Sequence, residues 1–170
     1  GAGGWAGRLS GRYLYELPWY MIIGAPGSGK TTALRNSGLQ FPLSDKMGEE
    51  AVRGVGGTRN CDWWFTDQAV LIDTAGRFTT QDSDQAGDAA TWTGFLGMLK
   101  RSRPRQPLNG VLVTVSVSDL IAKSAPERAR YAATVRQRMQ ELHEKLNVRF
   151  PIYLLVTKCD LLAGFMDAFA

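Results

Sequence analysis

The sequence predicts an α/β domain built in three layers, with helices on both faces of a mostly parallel sheet and one antiparallel edge strand. Short apolar runs of strand length alternate along the chain with segments of helical periodicity, and that alternation is typical of a parallel sheet covered on both faces. A chain of 170 residues is long enough for one such domain with a sizeable core. We divide it into residues 1–16, a linker or cloning remnant, and residues 17–170, the domain itself.

The composition is ordinary for a globular protein, with 44% hydrophobic residues, 21% charged residues and a net charge of +4. Cys61 and Cys159 show no metal-ligand spacing, which argues against a cysteine zinc site or a disulfide framework and favours a reducing compartment. No apolar run approaches the roughly 18 residues of a transmembrane helix, so we expect membrane anchoring only through segments outside this chain. The basic run at 100–106 fits either a solvated linker or a contact with an anionic partner.

Five segments predict the strands. Four of them are apolar runs of strand length, and one alternates between apolar and polar residues, as a strand with two different faces does. The alternating segment places Cys61, Trp63 and Phe65 on one face, and a tight turn joins it to the next strand as an antiparallel pair. The other strands are predicted to be parallel and buried. The five segments are residues 17–25, 61–66, 69–73, 109–117 and 150–157.

Three segments predict helices and two predict loops. The clearest helix carries apolar residues at three- and four-residue spacing, namely Ala132, Val135, Met139, Leu142 and Leu146. The predicted helices are residues 30–38, with Gly38 as the C-cap, 90–101 and 125–146. The predicted loops, which contain glycine and polar residues, are 39–58 and 77–90.

A glycine-rich segment, GAPGSGKTT at Gly24–Thr32, lies between the first strand and the first helix. It matches the phosphate-loop pattern G-x-x-x-x-G-K-[ST], whose glycines let backbone N–H groups turn toward phosphate oxygens. Lys30 would place its charge near the β- and γ-phosphates of a nucleotide, and the hydroxyl of Thr31 would bind Mg²⁺. The residues predicted to bind nucleotide here are Gly24, Ala25, Pro26, Gly27, Ser28, Gly29, Lys30, Thr31 and Thr32.

A second motif, AVLIDTAG at Ala69–Gly76, ends an apolar strand with a carboxylate. Asp73 would hold the Mg²⁺ shell, and Gly76 would donate its N–H to a γ-phosphate. Thr58, in the glycine-rich loop before this motif, is the candidate for a threonine that closes on Mg²⁺ and the γ-phosphate. The predicted metal ligands are therefore Thr31, Thr58 and Asp73.

The tetrapeptide TKCD, at Thr157–Asp160, ends the last strand, at the sheet edge where folds of this kind bind ligands. Asp160 would accept hydrogen bonds from N1 and N2 of guanine, while the stem of Lys158 packs against the ring. Adenine presents no such pair of donors, so the motif favours GTP or GDP. An ATPase would tolerate the same residues as a turn, which leaves ATP or ADP as the alternative.

These motifs in this order resemble the G-protein branch of P-loop NTPases, in which two families compete. Signal-recognition-particle GTPases share GKTT, DTAGR and the TK-x-D box, but they usually carry a DTxR-type motif and an upstream helical bundle, neither of which is here. The stronger resemblance is to the IcmF family, also called TssM, of type VI secretion systems. It covers about Tyr13–Phe169 and rests on strings such as LYELPWYMIIGAPGSGKTTAL, GTRNCDWWFTDQAVLIDTAGRFTTQD and LKRSRPRQPLNGVLVTVS.

The IcmF resemblance implies more than the motifs do. It implies a small-G-protein-like P-loop NTPase domain, incomplete at its C-terminal end, on the cytoplasmic face of the bacterial inner membrane within a much larger subunit. It also implies partners, namely a DotU/TssL-like protein of the membrane complex and baseplate components. In the family, Gly24–Thr32 corresponds to the Walker A motif, Asp73 to Walker B, and Lys158 and Asp160 to the base box. No feature of the sequence suggests nucleic-acid binding.

A nucleotide-dependent switch with slow hydrolysis is the favoured function. The alternatives are an ATPase that energises secretion and a partner-recruiting scaffold whose nucleotide site is dispensable. The catalytic candidates are Lys30, Thr58 and Arg77. Arg77 stands where many small GTPases have a water-orienting glutamine, and it would stabilise transition-state charge in cis, unless it is a surface arginine of its loop. Arg53, Arg59 and Gln81 are weaker candidates for these roles.

Overall fold

The computed structural model describes residues 16–38, 61–80 and 85–169 of the chain. Its strands form one sheet of order β2-β3-β1-β4-β5, in which β2 is antiparallel to β3 and every other pairing is parallel. This confirms the α/β class and the mixed sheet with one antiparallel edge strand. The strands are β1 (Trp19–Gly24), β2 (Cys61–Phe65), β3 (Val70–Thr74), β4 (Gly110–Ser116) and β5 (Ile152–Thr157).

Six α-helices and one 3₁₀ turn accompany the sheet in the described ranges. They are α1 (Lys30–Arg35), α2 (Arg77–Thr80), α3 (Gln85–Ser102), α4 (Val117–Ala122), α5 (Ala125–Leu146), the 3₁₀ turn (Cys159–Leu161) and α6 (Phe165–Ala168). None of these helices has both the length and the apolar character needed to cross a membrane.

The larger hydrophobic core lies between the sheet and the helices α3 and α5. It unites strand residues such as Trp19, Met21, Trp63 and Ile72 with side chains of the two helices: Trp92, Phe95, Leu96, Leu99, Met139, Leu142 and Leu146. Burying one such side chain stabilises the fold by about 1.5–3 kcal/mol. On the opposite face a smaller cluster packs Leu34 of α1 against Ile22, Trp64, Ala69 and Leu71. Helices therefore cover both faces of the sheet, as predicted.

Helix α5 runs over the residues that the sequence predicted, because its ends are fixed by local hydrogen bonds. Ser124 and Glu127 form a reciprocal capping box, in which the Glu127 carboxylate accepts from the Ser124 N–H at 2.7 Å. At the other end Asn147 adopts a left-handed conformation, with φ of 53°, that stops the helix.

Two predictions about the helices need correction. The first helix ends at Arg35 rather than at Gly38, since Asn36 already leaves the helical conformation. The predicted loop 77–90 is wrong at both its ends, because α2 covers residues 77–80 and α3 begins at residue 85. Apolar residues inside these helices supply the reason, since Phe78 packs against Trp92 with ring centroids 5.2 Å apart.

The prediction that the last strand is buried is also wrong. The side chains of Ile152, Tyr153, Leu154 and Val156 in β5 are 44–67% exposed, whereas Met21, Ile22 and Ile23 of β1 are at most 2% exposed. The register pairs Val111 with Ile152, Val113 with Leu154 and Val115 with Val156, so these three exposed side chains continue the core face of β4. No helix among the described residues covers that continuation.

Part of the basic run 100–106 is structural rather than solvated. Arg103 is buried, its guanidinium lies 5.1 Å from the centre of a Trp19 ring, and it donates to the side-chain oxygen of Asn109 at 3.1 Å. Burial lowers the pKa of Arg103. The same Asn109 oxygen accepts the backbone N–H of Trp19 at 2.8 Å. These residues therefore hold the N-terminal ends of β1 and β4 together.

Candidate phosphate-binding site

A cavity of about 450 Å³ opens at the carboxyl ends of β1 and β3, beside the start of α1. This volume is within the range of small-molecule binding sites. Its walls come from the glycine-rich segment, from the ends of β2 and β3 and from the residue after β5. The lining residues are Gly27, Ser28, Gly29, Lys30, Thr31, Thr32, Cys61, Asp62, Asp73, Thr74, Ala75, Gly76 and Lys158.

The glycines of the loop are needed where the backbone is left-handed or closely packed. Gly27 and Gly29 have φ of 72° and 85°, a conformation that residues with a side chain rarely adopt. A Cβ atom at Gly24 would overlap the Thr114 hydroxyl, and one at Gly76 would overlap Pro26. The loop therefore lies directly against β4 on one side and against the second residue after β3 on the other.

Lys30 is the first residue of α1, and its amine turns back to the loop that precedes it. Nζ donates to the carbonyl oxygens of Gly24 at 3.0 Å and Ala25 at 3.3 Å. Burial lowers the pKa of Lys30, and the Asp73 carboxylate partly opposes this shift by favouring the charged form. A lysine ammonium has three donors, so these two carbonyls leave one N–H for another acceptor.

Asp73 lies near the carboxyl end of β3, where it is only 8% exposed. The antiparallel register sets Asp62 of β2 directly opposite it. Both aspartates line the cavity, although the sequence motifs singled out only Asp73. Thr74, the next residue of β3, is fixed by a hydrogen bond from its hydroxyl to the carbonyl of Ile22 at 2.8 Å.

The TKCD motif is tied to the glycine-rich loop through its first residue. The Thr157 hydroxyl donates to the carbonyl of Ser28 at 2.5 Å and lies 3.4 Å from the carbonyl of Val115. Lys158 has a left-handed backbone, with φ of 59°, and lines the cavity. Asp160 lies in the 3₁₀ turn, is exposed and is not among the lining residues.

Several predicted site residues stand apart from the cavity walls. Gly24, Ala25 and Pro26 belong to the loop but do not line the cavity. Arg77 is engaged elsewhere: its Nε donates to Asp88 of α3 at 2.8 Å, and its guanidinium lies 4.9 Å from the centre of the Phe78 ring. Thr58, like Arg53, Arg59 and Gln81, is outside the described residues.

Long-range supports of the loop could not be found from sequence motifs. The hydroxyls of Ser28 and Thr114, both buried, are 2.9 Å apart, and the Thr114 hydroxyl also lies 3.3 Å from the carbonyl of Ile23. Tyr131 of α5 accepts the backbone N–H of Ala25 at 3.2 Å. Burial raises the pKa of this phenol.

A buried arginine ties α5 to the segment that follows β3. Arg138 donates through Nε to the carbonyl of Phe78 at 2.8 Å and through a terminal nitrogen to Glu141 at 2.7 Å. Its guanidinium also lies 5.7 Å from the centre of a Trp92 ring. This arginine connects α2 to the long helix by a side-chain hydrogen bond, and Tyr131 connects the glycine-rich loop to the same helix. The sequence offered no signal for either contact, because both bridge more than 50 residues.

Comparison with known proteins places the chain in a family. Residues 85–170 match the model of the IcmF-related N-terminal domain. The chain belongs to the IcmF family. It is also 63% identical, over 158 residues, to the type VI secretion system component TssM1 of Pseudomonas aeruginosa. That alignment covers 93% of this chain but 14% of TssM1, so the chain spans about one seventh of the length of this relative. The IcmF and TssM resemblance read from the sequence is thereby confirmed.

The residues around the cavity of this IcmF-family domain fit a magnesium nucleotide. Mg²⁺ prefers hard oxygen ligands, and the hydroxyl of Thr31 and the carboxylate of Asp73 line the same cavity. Left-handed glycines give the backbone the turns that let N–H groups face an anion. The ammonium of Lys30 has a donor available and lies among these groups.

Proposed function

We propose that this chain is a Mg²⁺-dependent nucleotide-binding domain of the P-loop NTPase type that acts as a switch with slow hydrolysis within a type VI secretion subunit. Its partners would be a DotU/TssL-like membrane-complex protein and baseplate components, and it would work on the cytoplasmic face of the inner membrane. GTP or GDP is the favoured ligand, with ATP or ADP as the alternative. Membrane anchoring would lie in segments outside this chain.

One observation carries the proposal. Lys30, Asp73 and Lys158 come from three separate motifs of the sequence, yet they line one cavity at the carboxyl edge of the sheet. Parallel α/β sheets bind ligands at this edge. A glycine-rich turn without a binding role would not require a matched lysine, hydroxyl and carboxylate around the same space.

Each side chain has a distinct task in the proposed complex. Lys30 would donate to the β- and γ-phosphates, Thr31 and Asp73 would hold Mg²⁺, and the N–H of Gly76 would face the γ-phosphate. Bound Mg²⁺ would neutralise charge on the phosphate oxygens and orient them. Thr58 would close on the same ion and phosphate. Arg77 would reach transition-state charge only by leaving Asp88, which is consistent with slow hydrolysis.

The contacts of α2 support a switch rather than simple storage of a nucleotide. Gly76, against Pro26 of the loop, directly precedes α2. Arg138 of α5 donates to the carbonyl of Phe78 in α2, and Tyr131 of α5 accepts the N–H of Ala25 in the loop. A shift of Gly76 toward a γ-phosphate would therefore move a helix that is bonded to the long α5 helix.

A scaffold function has one observation in its favour. The apolar side chains of β5, together with Leu161, Met166 and Phe169, are exposed, and contiguous exposed apolar surface marks sites of protein contact. In that alternative the domain would recruit partners whether or not its cavity holds a nucleotide.

Hydrogen exchange separates the two functions. We would compare the chain with Mg²⁺ and GDP, with Mg²⁺ and a non-hydrolysable GTP analogue, and with the two adenine nucleotides. A switch predicts different exchange in the di- and triphosphate complexes over residues 48–60, over 77–90 and in the part of α5 around Tyr131. The matched control is Lys30→Ala, which should show no such difference. Identical exchange in both complexes would contradict the switch and favour the scaffold.

A further inference from the structure

We propose that Tyr131, on the long helix α5, is a positioning residue of the phosphate site, which fixes the ammonium of Lys30 through one peptide unit of the glycine-rich loop. The inference rests on the proposed function and deepens it, because it assigns the placement of the lysine charge to a residue outside the sequence motifs. Tyr131 is not among the residues that line the large cavity, so it would act on a nucleotide only through the loop.

One planar peptide unit joins the two side chains. The carbonyl of Gly24 and the N–H of Ala25 belong to the same unit, which is rigid and trans. The ammonium of Lys30 donates to that carbonyl at 3.0 Å, and the phenol oxygen of Tyr131 accepts that N–H at 3.2 Å. The C=O and N–H of a trans unit point in opposite directions, so Lys30 and Tyr131 hold the unit from opposite sides.

The carbonyl of Ala25 adds a second contact to the lysine. It accepts from the Lys30 ammonium at 3.3 Å and from the backbone N–H of Ser28 at 3.1 Å. Two of the three donors of the ammonium are therefore directed by the peptide units on either side of Ala25. Rotation of the first unit would turn the Gly24 carbonyl away from the lysine. The hydrogen bond to Tyr131 opposes that rotation, because it holds the other side of the same plane.

Neither the sheet nor the next helix holds this unit. β1 ends at Gly24 and α1 begins only at Lys30, so the N–H of Ala25 finds its acceptor in a side chain 106 residues away. The contact is partly buried, and a hydrogen bond is stronger in the lower dielectric of such a place. Helix α5 is anchored in the larger core through its C-terminal half, which gives the phenol of Tyr131 a fixed base.

The test removes the phenol hydroxyl and asks whether the loss depends on Lys30. Tyr131→Phe keeps the ring and removes the acceptor of the Ala25 N–H. Tyr153→Phe removes a hydroxyl from an exposed tyrosine of β5 and serves as the matched control. We would measure the affinity of fluorescent GTP and ATP analogues, with Mg²⁺, for both variants, for Lys30→Ala and for the double variant Tyr131→Phe/Lys30→Ala.

A positioning role predicts that the two changes are not additive. Tyr131→Phe should weaken nucleotide binding about tenfold, because the lysine charge is no longer held in place, and Tyr153→Phe should not change it. In the Lys30→Ala background, the loss caused by Tyr131→Phe should be less than about threefold. An equal loss in both backgrounds would mean that Tyr131 only stabilises the loop. That result, or full affinity in Tyr131→Phe, would overturn the proposal.

A measurement without nucleotide keeps the proposal separate from the proposed function. The NMR signal of the Lys30 ammonium, assigned by its absence from Lys30→Ala, reports how fast its protons exchange with water. We predict slow exchange in the wild type and in Tyr153→Phe, and exchange about tenfold faster in Tyr131→Phe. If the wild type binds no nucleotide, the proposed function fails and this measurement alone decides the inference, as it does if Lys30→Ala binds too weakly to titrate. Equal exchange in the wild type and Tyr131→Phe would overturn the proposal.

Discussion

The centre of the sheet and its β5 edge carry the two halves of the candidate site, and they are built differently. At the centre, Lys30 and Asp73 lie next to strands covered on both faces, and Ser28 and Thr114 beneath them are almost inaccessible to solvent. At the edge, Lys158 and Asp160 follow a strand whose apolar side chains are exposed. The proposed phosphate half therefore lies against the core, whereas the proposed base half is tied to the glycine-rich loop by the Thr157 hydroxyl.

This difference indicates how nucleotide affinity and base selectivity would be divided. Groups fixed in a buried lattice of hydrogen bonds need little reordering when a ligand binds, so the phosphate half should supply most of the affinity. An exposed carboxylate such as Asp160 competes with water for its partner, so its contribution to base selection should be smaller.

The largest expected effect is on stability and compares Ile72→Ala with Leu154→Ala. Ile72 is fully buried in the core, so its truncation should lower the free energy of unfolding by about 2–5 kcal/mol. Leu154 is 67% exposed, so its truncation should change the free energy of unfolding by about 0.5 kcal/mol or less. Urea unfolding of both variants measures the difference. Equal losses would show that β5 is covered as fully as β3.

The link between the two halves is tested by Thr157→Val. This change keeps the shape of the side chain but leaves the Ser28 carbonyl without the donor at 2.5 Å. We expect a loss of about 1–2 kcal/mol in unfolding free energy, together with weaker nucleotide binding. Thr157→Ser, which keeps the hydroxyl, should retain most of both properties. If Thr157→Val binds nucleotide as tightly as the wild type, the hydrogen bond does not couple the halves.

Base selection is tested by Asp160→Ala. If the carboxylate recognises guanine, the ratio of GTP to ATP affinity should fall by about tenfold, or 1.4 kcal/mol, while ATP affinity stays constant. Asp167→Ala, a change at another exposed aspartate of the same C-terminal segment, should leave the ratio unaltered. An unchanged ratio of GTP to ATP affinity in Asp160→Ala would mean that TKCD is only a turn at the end of β5, and it would favour an adenine nucleotide.

The smallest effect concerns stability without ligand. Because burial lowers the pKa of Lys30, the charged amine is unfavourable in the folded chain, and that cost is present at neutral pH. Lys30→Met should therefore raise the melting temperature in the absence of nucleotide, by less than Ile72→Ala lowers it. Differential scanning calorimetry at neutral pH measures this shift. A lower melting temperature would mean that the hydrogen bonds to Gly24 and Ala25 outweigh desolvation.

Sequence alone predicted the parts of the fold that depend on local pattern. The alternation of Cys61, Trp63 and Phe65 predicted a shared face of β2, which lies in the larger core, and the apolar spacing along residues 125–146 predicted α5. The order of the motifs along the chain also predicted that Lys30, Asp73 and Lys158 would meet at one edge of the sheet. Such features follow from periodicity and from the direction of parallel strands.

Features that depend on a distant neighbour were missed. The residues of β5 are as apolar as those of β1, but burial requires a covering layer, which no property of the strand itself reveals. The same holds for Asp62, because only the register with β3 shows that it faces Asp73. Tyr131 and Arg138 of α5 hydrogen-bond backbone groups that are distant in sequence, at Ala25 and Phe78. The sequence pattern of α5 indicates only which face of the helix packs on the core.

Equilibrium binding of fluorescent GTP and ATP analogues measures whether this cavity binds a magnesium nucleotide through its phosphates. The wild-type chain, Lys30→Ala and the exposed-lysine control Lys145→Ala would be titrated with Mg²⁺ and with EDTA. We predict Mg²⁺-dependent binding by the wild type and the control, and a loss of about 2–4 kcal/mol, or roughly 30- to 1,000-fold, in Lys30→Ala. Binding that is equal in Lys30→Ala, or absent from the wild type, would contradict this role of the cavity.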